Sequence, residues 1–401
     1  MARQWQTMEK SFAAFVLTAG VLLLLLASTI VQDSSYGGMT GRVAQMSQIV
    51  QRKGRQLDPR TSTTGKPINV MNSKHVTHPL TDPQWMTLPA RLVQPFVTNR
   101  SHPFLRDYVI RNEFLCGYGP LDLLIVIHSS VQNFHARRIL RETWAATNIV
   151  RGVRVRRVFF LGRSDSDVIQ GHVNMEQATY TDIVQGDFMD TFPNLTMKAI
   201  TALRWVNDHC SNARYILKAD DDMFVNIFSL LEHTLNHLAG SERTVLCHAK
   251  AANTSQIVRD PKSKWYVPRD VLPGRTHWPA FCSGYVVVIT TDSVSPLYSA
   301  SYVAPYVPVD DGFVYGILPE VSGKNFLQYH DISSNFTLNE KVLLAQYETS
   351  HQPITKLAGI ARDAKTQTRL WLAVLQRLSP WARSRAAITS LRRSMGHAER
   401  L

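Results

Sequence analysis

The 401-residue sequence predicts an α/β fold with a mostly parallel central sheet. Three observations point there. Short apolar runs alternate with segments of helical spacing, the pattern of strands connected by crossover helices. One run, Leu121–His128 (LDLLIVIH), is apolar almost throughout, as a strand covered on both faces must be. A second apolar strand runs straight into three consecutive aspartates, and open α/β sheets bind ligands at such strand ends.

The elements follow in order. Leu121–His128 is the first buried strand. Phe134–Ala146 reads as a helix with Arg137, Arg138 and Arg141 near its start. Val153–Leu161 (VRVRRVFFL) is a second strand, ended by Gly162. Leu195–Cys210 has helical spacing through Leu195, Ala199, Ala202, Leu203 and Val206. Arg214–Lys218 is a short strand and Asn226–Leu238 a further helix. No internal repeat is present.

The flanks differ from this body. Phe12–Val31 is an uncharged apolar run long enough to cross a bilayer as a helix. It exceeds the 7–15 apolar residues of a cleaved signal peptide. Arg3 and Lys10 precede it, so the positive-inside rule leaves 1–11 in the cytosol and directs the rest into the lumen. Residues 32–105 lack periodicity and are rich in Ser, Thr, Gln and Pro, with nine Lys/Arg against three acidic residues; they read as a stem. Residues 106–355 form the body. Residues 356–401 carry ten Lys/Arg against two acidic residues, and a stripe through Leu370, Trp371, Val374, Leu375 and Leu378 ends before Pro380. Two readings of this tail stand: an ordinary solvated terminal segment, favoured, or an amphipathic helix on an anionic surface.

The net charge of +13 therefore sits in the flanks, and the body is close to neutral. That distribution argues against nucleic acid as a partner, because a nucleic-acid-binding face places its charge on the folded domain. Four sequons, at Asn99, Asn194, Asn253 and Asn335, suit a lumenal body. Cys116, Cys210, Cys247 and Cys282 allow two disulfides in three pairings, and none has the spacing of a zinc site.

The chemistry concentrates in Tyr215–Asn226, YILKADDDMFVN. Asp220, Asp221 and Asp222 repel one another and need a compensating cation. A hard divalent ion, Mn²⁺ or Mg²⁺, is the natural partner for clustered carboxylate oxygens. Alternation along an extended chain points Asp220 and Asp222 the same way. Such a metal would also bind a diphosphate and stabilise its departure. A second acidic pair, Asp310-Asp311 in VPVDDGFVYG, offers a carboxylate as general base for an attacking hydroxyl. Read alone, it serves equally as a helix cap.

At these residues the chain resembles the β-1,3-galactosyltransferase and β-1,3-N-acetylglucosaminyltransferase family, which includes Fringe-like enzymes. The likeness covers roughly 118–340 as five motifs in order. Arg137-Arg138-Ile139-Leu140-Arg141-Glu142-Thr143-Trp144 resembles R-x-x-x-R-x-T-W, and Phe159-Phe160-Leu161-Gly162 resembles F-L-x-G. The long segment from Tyr180 to Lys198 is similar to Y-x-D-I-I-Q-x-D-F-x-D-x-Y-x-N-L-T-x-K. Lys218–Asn226 resembles K-x-D-D-D-x-F-V-N. Lys264–Pro268 followed by Phe281-Cys282-Ser283-Gly284 completes the set.

The resemblance implies a GT-A fold with a Rossmann-like nucleotide-binding half. It implies a type II Golgi membrane enzyme that extends a glycan on a glycoprotein or glycolipid. The donor would be UDP-galactose or UDP-N-acetylglucosamine, transferred with inversion into a β-1,3 linkage. Carried over by position, Asp222 and Asp220 hold the metal with His330, and Asp220, Asp221, Arg137, Arg141 and Lys198 bind or frame the nucleotide sugar. Asp311 is the general base. Asp310, Trp265, Tyr266 and Gly284 face the acceptor. Asp182, Asp187 and Asp190 are left as either structural or site residues.

Two departures stand out: Asp310-Asp311-Gly312 where the family has Glu-Asp-Val, and Tyr285-Val286 where a second glycine is usual. A glycan-binding relative with weak or no turnover is the alternative reading.

Overall fold

The computed structural model describes residues 101–147, 152–349 and 353–378. The expected membrane span Phe12–Val31, most of the stem and Asn99 lie outside these residues. Among the described residues no helix is long and apolar enough to cross a membrane.

The described residues form eleven strands and eight helices, the run 310–322 counting as one helix. The strands are β1 (Tyr108–Ile110), β2 (Leu121–His128), β3 (Val155–Arg163), β4 (Ile183–Met189), β5 (Ala213–Asp220), β6 (Met223–Val225), β7 (Thr244–Lys250), β8 (Phe281–Thr290), β9 (Gln328–Asp331), β10 (Phe336–Thr337) and β11 (Ala358–Ile360). The helices are α1 (Phe134–Glu142), α2 (Asp167–Tyr180), α3 (Leu195–His209), α4 (Ile227–Leu238), α5 (Val294–Ala300), α6, α7 (Glu340–Leu344) and α8 (Ala364–Arg377). α6 joins a first turn Asp310–Gly312, a π-helical stretch Phe313–Ile317 and a last turn Leu318–Ser322.

The main sheet has eight strands in the order β1-β4-β3-β2-β5-β8-β7-β9. β4, β3, β2 and β5 are mutually parallel, as are β7 and β9, while β8 runs antiparallel to both neighbours. β1 adds an antiparallel edge. The sheet is thus mixed: parallel where strands and helices alternate, antiparallel where β8 returns. A second sheet, β10-β11-β6, stands beside the end of β5.

β2 shows why the apolar run is continuous. Leu123, Ile125 and Ile127 enter one buried cluster, Leu124 and Val126 the other, so both faces are covered. β5 alternates in the same way until Ile216, after which Lys218 and Asp220 take that face.

α1 ends earlier than its apolar spacing predicts. Thr143 Oγ1 donates back to Ile139 O, and Trp144, Ala145 and Ala146 leave the helix to fill the core. α2 gave no periodic signal because Val173 is its one fully buried residue.

The segment expected to be a tail from 356 belongs to the core. β11 pairs with β6 through Ala358↔Val225 to Ile360↔Met223. In α8, Leu370, Trp371, Val374 and Leu375 are buried, and the Trp371 ring stacks on Phe228. The apolar stripe faces protein and not an anionic surface. The expected stem likewise ends early: His102 is buried and bonded through Nε2 to Ser301 Oγ at 2.9 Å. The cysteines pair Cys116–Cys210 and Cys247–Cys282.

Candidate active site

Lys218 organises the end of β5. It is buried, and Nζ donates to Asp220 Oδ1 at 2.6 Å and to the carbonyl of Gly284 on β8. Spacing of two along a strand puts Lys218 and Asp220 on one face. Burial disfavours the ammonium, yet Asp220, Asp310 and Asp311 raise it above the ordinary lysine range. Burial pushes the Asp220 carboxyl up to about 6, against the pull of Lys218.

The chain then turns at Asp221 and Asp222 because β6 leaves the main sheet for β11. Asp221 does not face open space: its Oδ2 accepts from Ser129 Oγ at 2.6 Å and Asn133 Nδ2 at 2.8 Å. It fastens the β2–α1 loop to the acidic turn. Asp222 accepts the Ala361 N–H at 2.8 Å through its backbone carbonyl. Its carboxyl is raised by burial and by Asp221, and Arg362 opposes the rise.

Asp310 and Asp311 open α6, where helix N–H groups favour negative charge. Asp311 lies against Gly284, where an added Cβ would stand 2.0 Å from Asp311 Oδ1. Only a glycine admits the carboxylate there. Burial, and then the neighbouring Asp310, push Asp311 up to about 8, while Lys218 and the Gly284 N–H hold it down. Gly312 has a comparable reason: its Cβ would meet the Trp278 ring at 2.4 Å. The departure Asp-Asp-Gly thus comes with a tryptophan packed on the glycine.

β8 bulges at this point. Its pairing to β7 jumps from Cys247↔Val287 to His248↔Ser283, leaving Gly284, Tyr285 and Val286 between. Bulges re-aim side chains beside functional sites. Val286, in the place of the usual second glycine, is buried in the core, and Tyr285 bonds to His248 Nδ1.

Arg137, Arg141 and Lys198 frame the site and are not free to grip a ligand. Arg137 spends its guanidinium on Glu176, Ser129 Oγ at 3.1 Å, Ser130 O at 2.5 Å and Val131 O at 3.3 Å. Arg141 binds Asp182 through Nε and Nη2 at 2.9 and 2.7 Å, and Glu176 through Nη1 at 2.6 Å. Lys198 Nζ donates to Ser129 O at 2.6 Å and Asp190 Oδ1 at 2.7 Å. Asp190 Oδ2 accepts the N–H of Val131 and of Gly162. Asp190 and Asp182 are therefore structural, and Asp187 pairs with Arg163 at the surface. The bonds from Arg137, Lys198 and Asp190 converge on the loop Ser129–Val131 at the C-terminal end of β2.

His330 is not beside the aspartates. It lies on β9 opposite Leu246, with its ring 6.4 Å from that of His237 on α4. Among the described residues no group of three or more His, Cys, Asp or Glu side chains is gathered at metal-ligand spacing.

Trp265 and half-buried Tyr266 belong to the excursion between β7 and β8. Arg259 ties that excursion by donating to carbonyls including Val267, Val271, Leu272 and Arg275. Trp265 is exposed, and Lys264 Nζ stands 4.5 Å over its ring and 5.4 Å over Phe192. Of the sequons, Asn253 is exposed, while Asn194 and Asn335 donate through Nδ2 to Met189 O and Thr355 O.

Sequence reasoning missed Glu176, Lys218, Arg362 and the Gly312–Trp278 contact. Lys218 had a signal, an apolar strand interrupted by a lysine two residues before an aspartate. Glu176 and Arg362 had none.

A family model described as Galactosyltransferase matches residues 135–323. Beta-1,3-galactosyltransferase 1 of Homo sapiens is 32% identical over 217 residues, which are 54% of this chain and 66% of that protein. Beta-1,3-galactosyltransferase 5 of Homo sapiens is 32% identical over 200 residues, 50% of this chain and 63% of that protein. The match thus spans just under two thirds of the length of these relatives. A solved glycosyltransferase involved in the glycosylation of the major capsid of PBCV-1 overlays with a TM-score of 0.33 at 11% identity, covering 62% of this chain and 98% of that one. Over residues 135–323 the chain is thus similar to the galactosyltransferases.

Proposed function

We propose that the chain is an inverting, metal-dependent UDP-sugar:glycan β-1,3-glycosyltransferase of GT-A type. The carrying observation is Asp311 seated on Gly284, whose carbonyl is held by the same Lys218 that holds Asp220. The relatives' names put galactose ahead of N-acetylglucosamine as donor.

Asp222 and the free oxygen of Asp220 fit a hard divalent cation, being oxygen donors whose ionised form burial disfavours. Mn²⁺ or Mg²⁺ bound there would supply charge neutralisation for the diphosphate. Mg²⁺ usually takes one or two carboxylates plus substrate phosphates, so a protein-only cage is not required. The loop Ser129–Val131, fixed by Arg137, Lys198, Asp190 and Asp221, supports a nucleotide subsite at the ends of β2 and β5. Asp311 accepts the proton of the acceptor hydroxyl as its oxygen attacks the anomeric carbon. Trp265 offers an exposed face to an acceptor sugar ring.

The type II Golgi topology remains part of this reading and rests on Phe12–Val31 and its basic flank. UDP release from UDP-galactose and UDP-N-acetylglucosamine, with Mn²⁺ or Mg²⁺ and a panel of glycans, tests the function. Metal-dependent release that Asp222→Asn abolishes is expected. Absence of release with every donor would leave the glycan-binding relative as the better reading.

A further inference from the structure

Arg362 sits in the segment that reads as a basic tail, yet the fold delivers it to the acidic turn. The ladder Ile360↔Met223 continues with the Ala361 N–H donated to Asp222 O at 2.8 Å. One residue further the chain is Arg362, level with the acidic cluster. Its backbone is held on both sides. Ala361 is buried, and buried Gln367 donates through Nε2 to both Met223 O and Ala361 O at 3.0 Å. On the other side Asp363 caps α8, its Oδ1 accepting the Thr366 N–H at 2.9 Å.

The side chain, in contrast, is exposed and uncommitted. Among the described residues no carboxylate lies within ion-pair distance of Arg362, including Asp222, although its charge is felt there. Among the described residues Arg137, Arg141, Lys198 and Lys218 are buried and paired, whereas Arg362 is exposed on a rigid mount at this turn. A fixed, always-charged fork suits phosphate oxygens, which it can bind in pairs.

We propose that Arg362 binds the diphosphate of the nucleotide sugar and stabilises it as the leaving group. This rests on the transferase reading above. In the transfer, the acceptor oxygen forms its bond to the anomeric carbon while the bond from that carbon to the β-phosphate oxygen breaks. The bonding pair stays with the phosphate oxygen, and the hydroxyl proton passes to Asp311. Charge on the departing diphosphate grows along this path, so a guanidinium beside it is worth more in the transition state than in the ground state.

The test uses the full chain in detergent with Mn²⁺, measuring equilibrium binding of UDP and of uridine, then steady-state turnover. Arg362→Ala should weaken UDP by at least about 10-fold, the order expected for a lost charge-assisted contact, and leave uridine unchanged. Arg362→Lys should recover part of the loss, and kcat should fall more than KM rises. Retained uridine binding shows that each variant is folded. UDP affinity of Arg362→Ala within twofold of the unaltered chain overturns the role of Arg362 alone. No UDP binding by the unaltered chain overturns the transferase reading and this inference with it.

Discussion

At the residue scale the site depends on one close approach. Gly284 leaves space that a single methyl would fill, and Asp311 occupies it. Gly284→Ala must push the carboxylate aside, and side-chain rotation lets the fold absorb the change. Turnover should fall by about 10²-fold, the low end of what a general base contributes, with little loss of thermal stability. A circular-dichroism melt beside the rate assay separates the two effects.

Asp311 has a second consequence. Its carboxyl is pushed from 3.8 up to about 8, so the folded state keeps a proton that the unfolded chain releases. Stability from this group is full below pH 3.8 and is lost as pH rises through about 8. Asp311→Asn should abolish transfer yet flatten that decline, melting higher than the unaltered chain near pH 9. The same protonation predicts that kcat/KM of the unaltered enzyme falls on the acid side.

At the element scale β11 and α8 decide where the domain ends. β6 would be a lone three-residue strand without β11, and the acidic turn hangs from it. Trp371 fills the space between α8 and α4 by stacking on Phe228. Trp371→Ala should cost about 3–5 kcal/mol, as for other buried large-to-small changes, measurable by urea denaturation. A chain ending at 355 should lose cooperative unfolding altogether.

For the whole described body, two disulfides tie separate parts of the chain. Cys116–Cys210 closes 94 residues, joining the approach to β2 with the end of α3, and Cys247–Cys282 closes 35 around the Trp265 excursion. Replacing Cys116 and Cys210 together by serine should lower stability by roughly 2–4 kcal/mol, read as a lower melting temperature. Replacing Cys247 and Cys282 should loosen the acceptor side and raise KM for the glycan more than KM for the donor.

Strand β2, helix α3 and the acidic run of β5 were legible because each is governed by local periodicity. The acidic run itself was plain in the sequence, but not that Asp221 would turn to Ser129 and Asn133. The roles of Arg137, Arg141, Lys198 and His330 were not legible. A motif shows that a charged residue occurs at a position, and only the packing shows whether Glu176, Asp182 and Asp190 already neutralise it. The sequence by itself determined the alternating fold class and the likeness to the galactosyltransferases. Tertiary structure alone decided that residue 362 reaches the acidic turn, that Gly284 receives Asp311 and which cysteines meet. These depend on contacts between segments tens to more than a hundred residues apart, and no local pattern encodes such meetings.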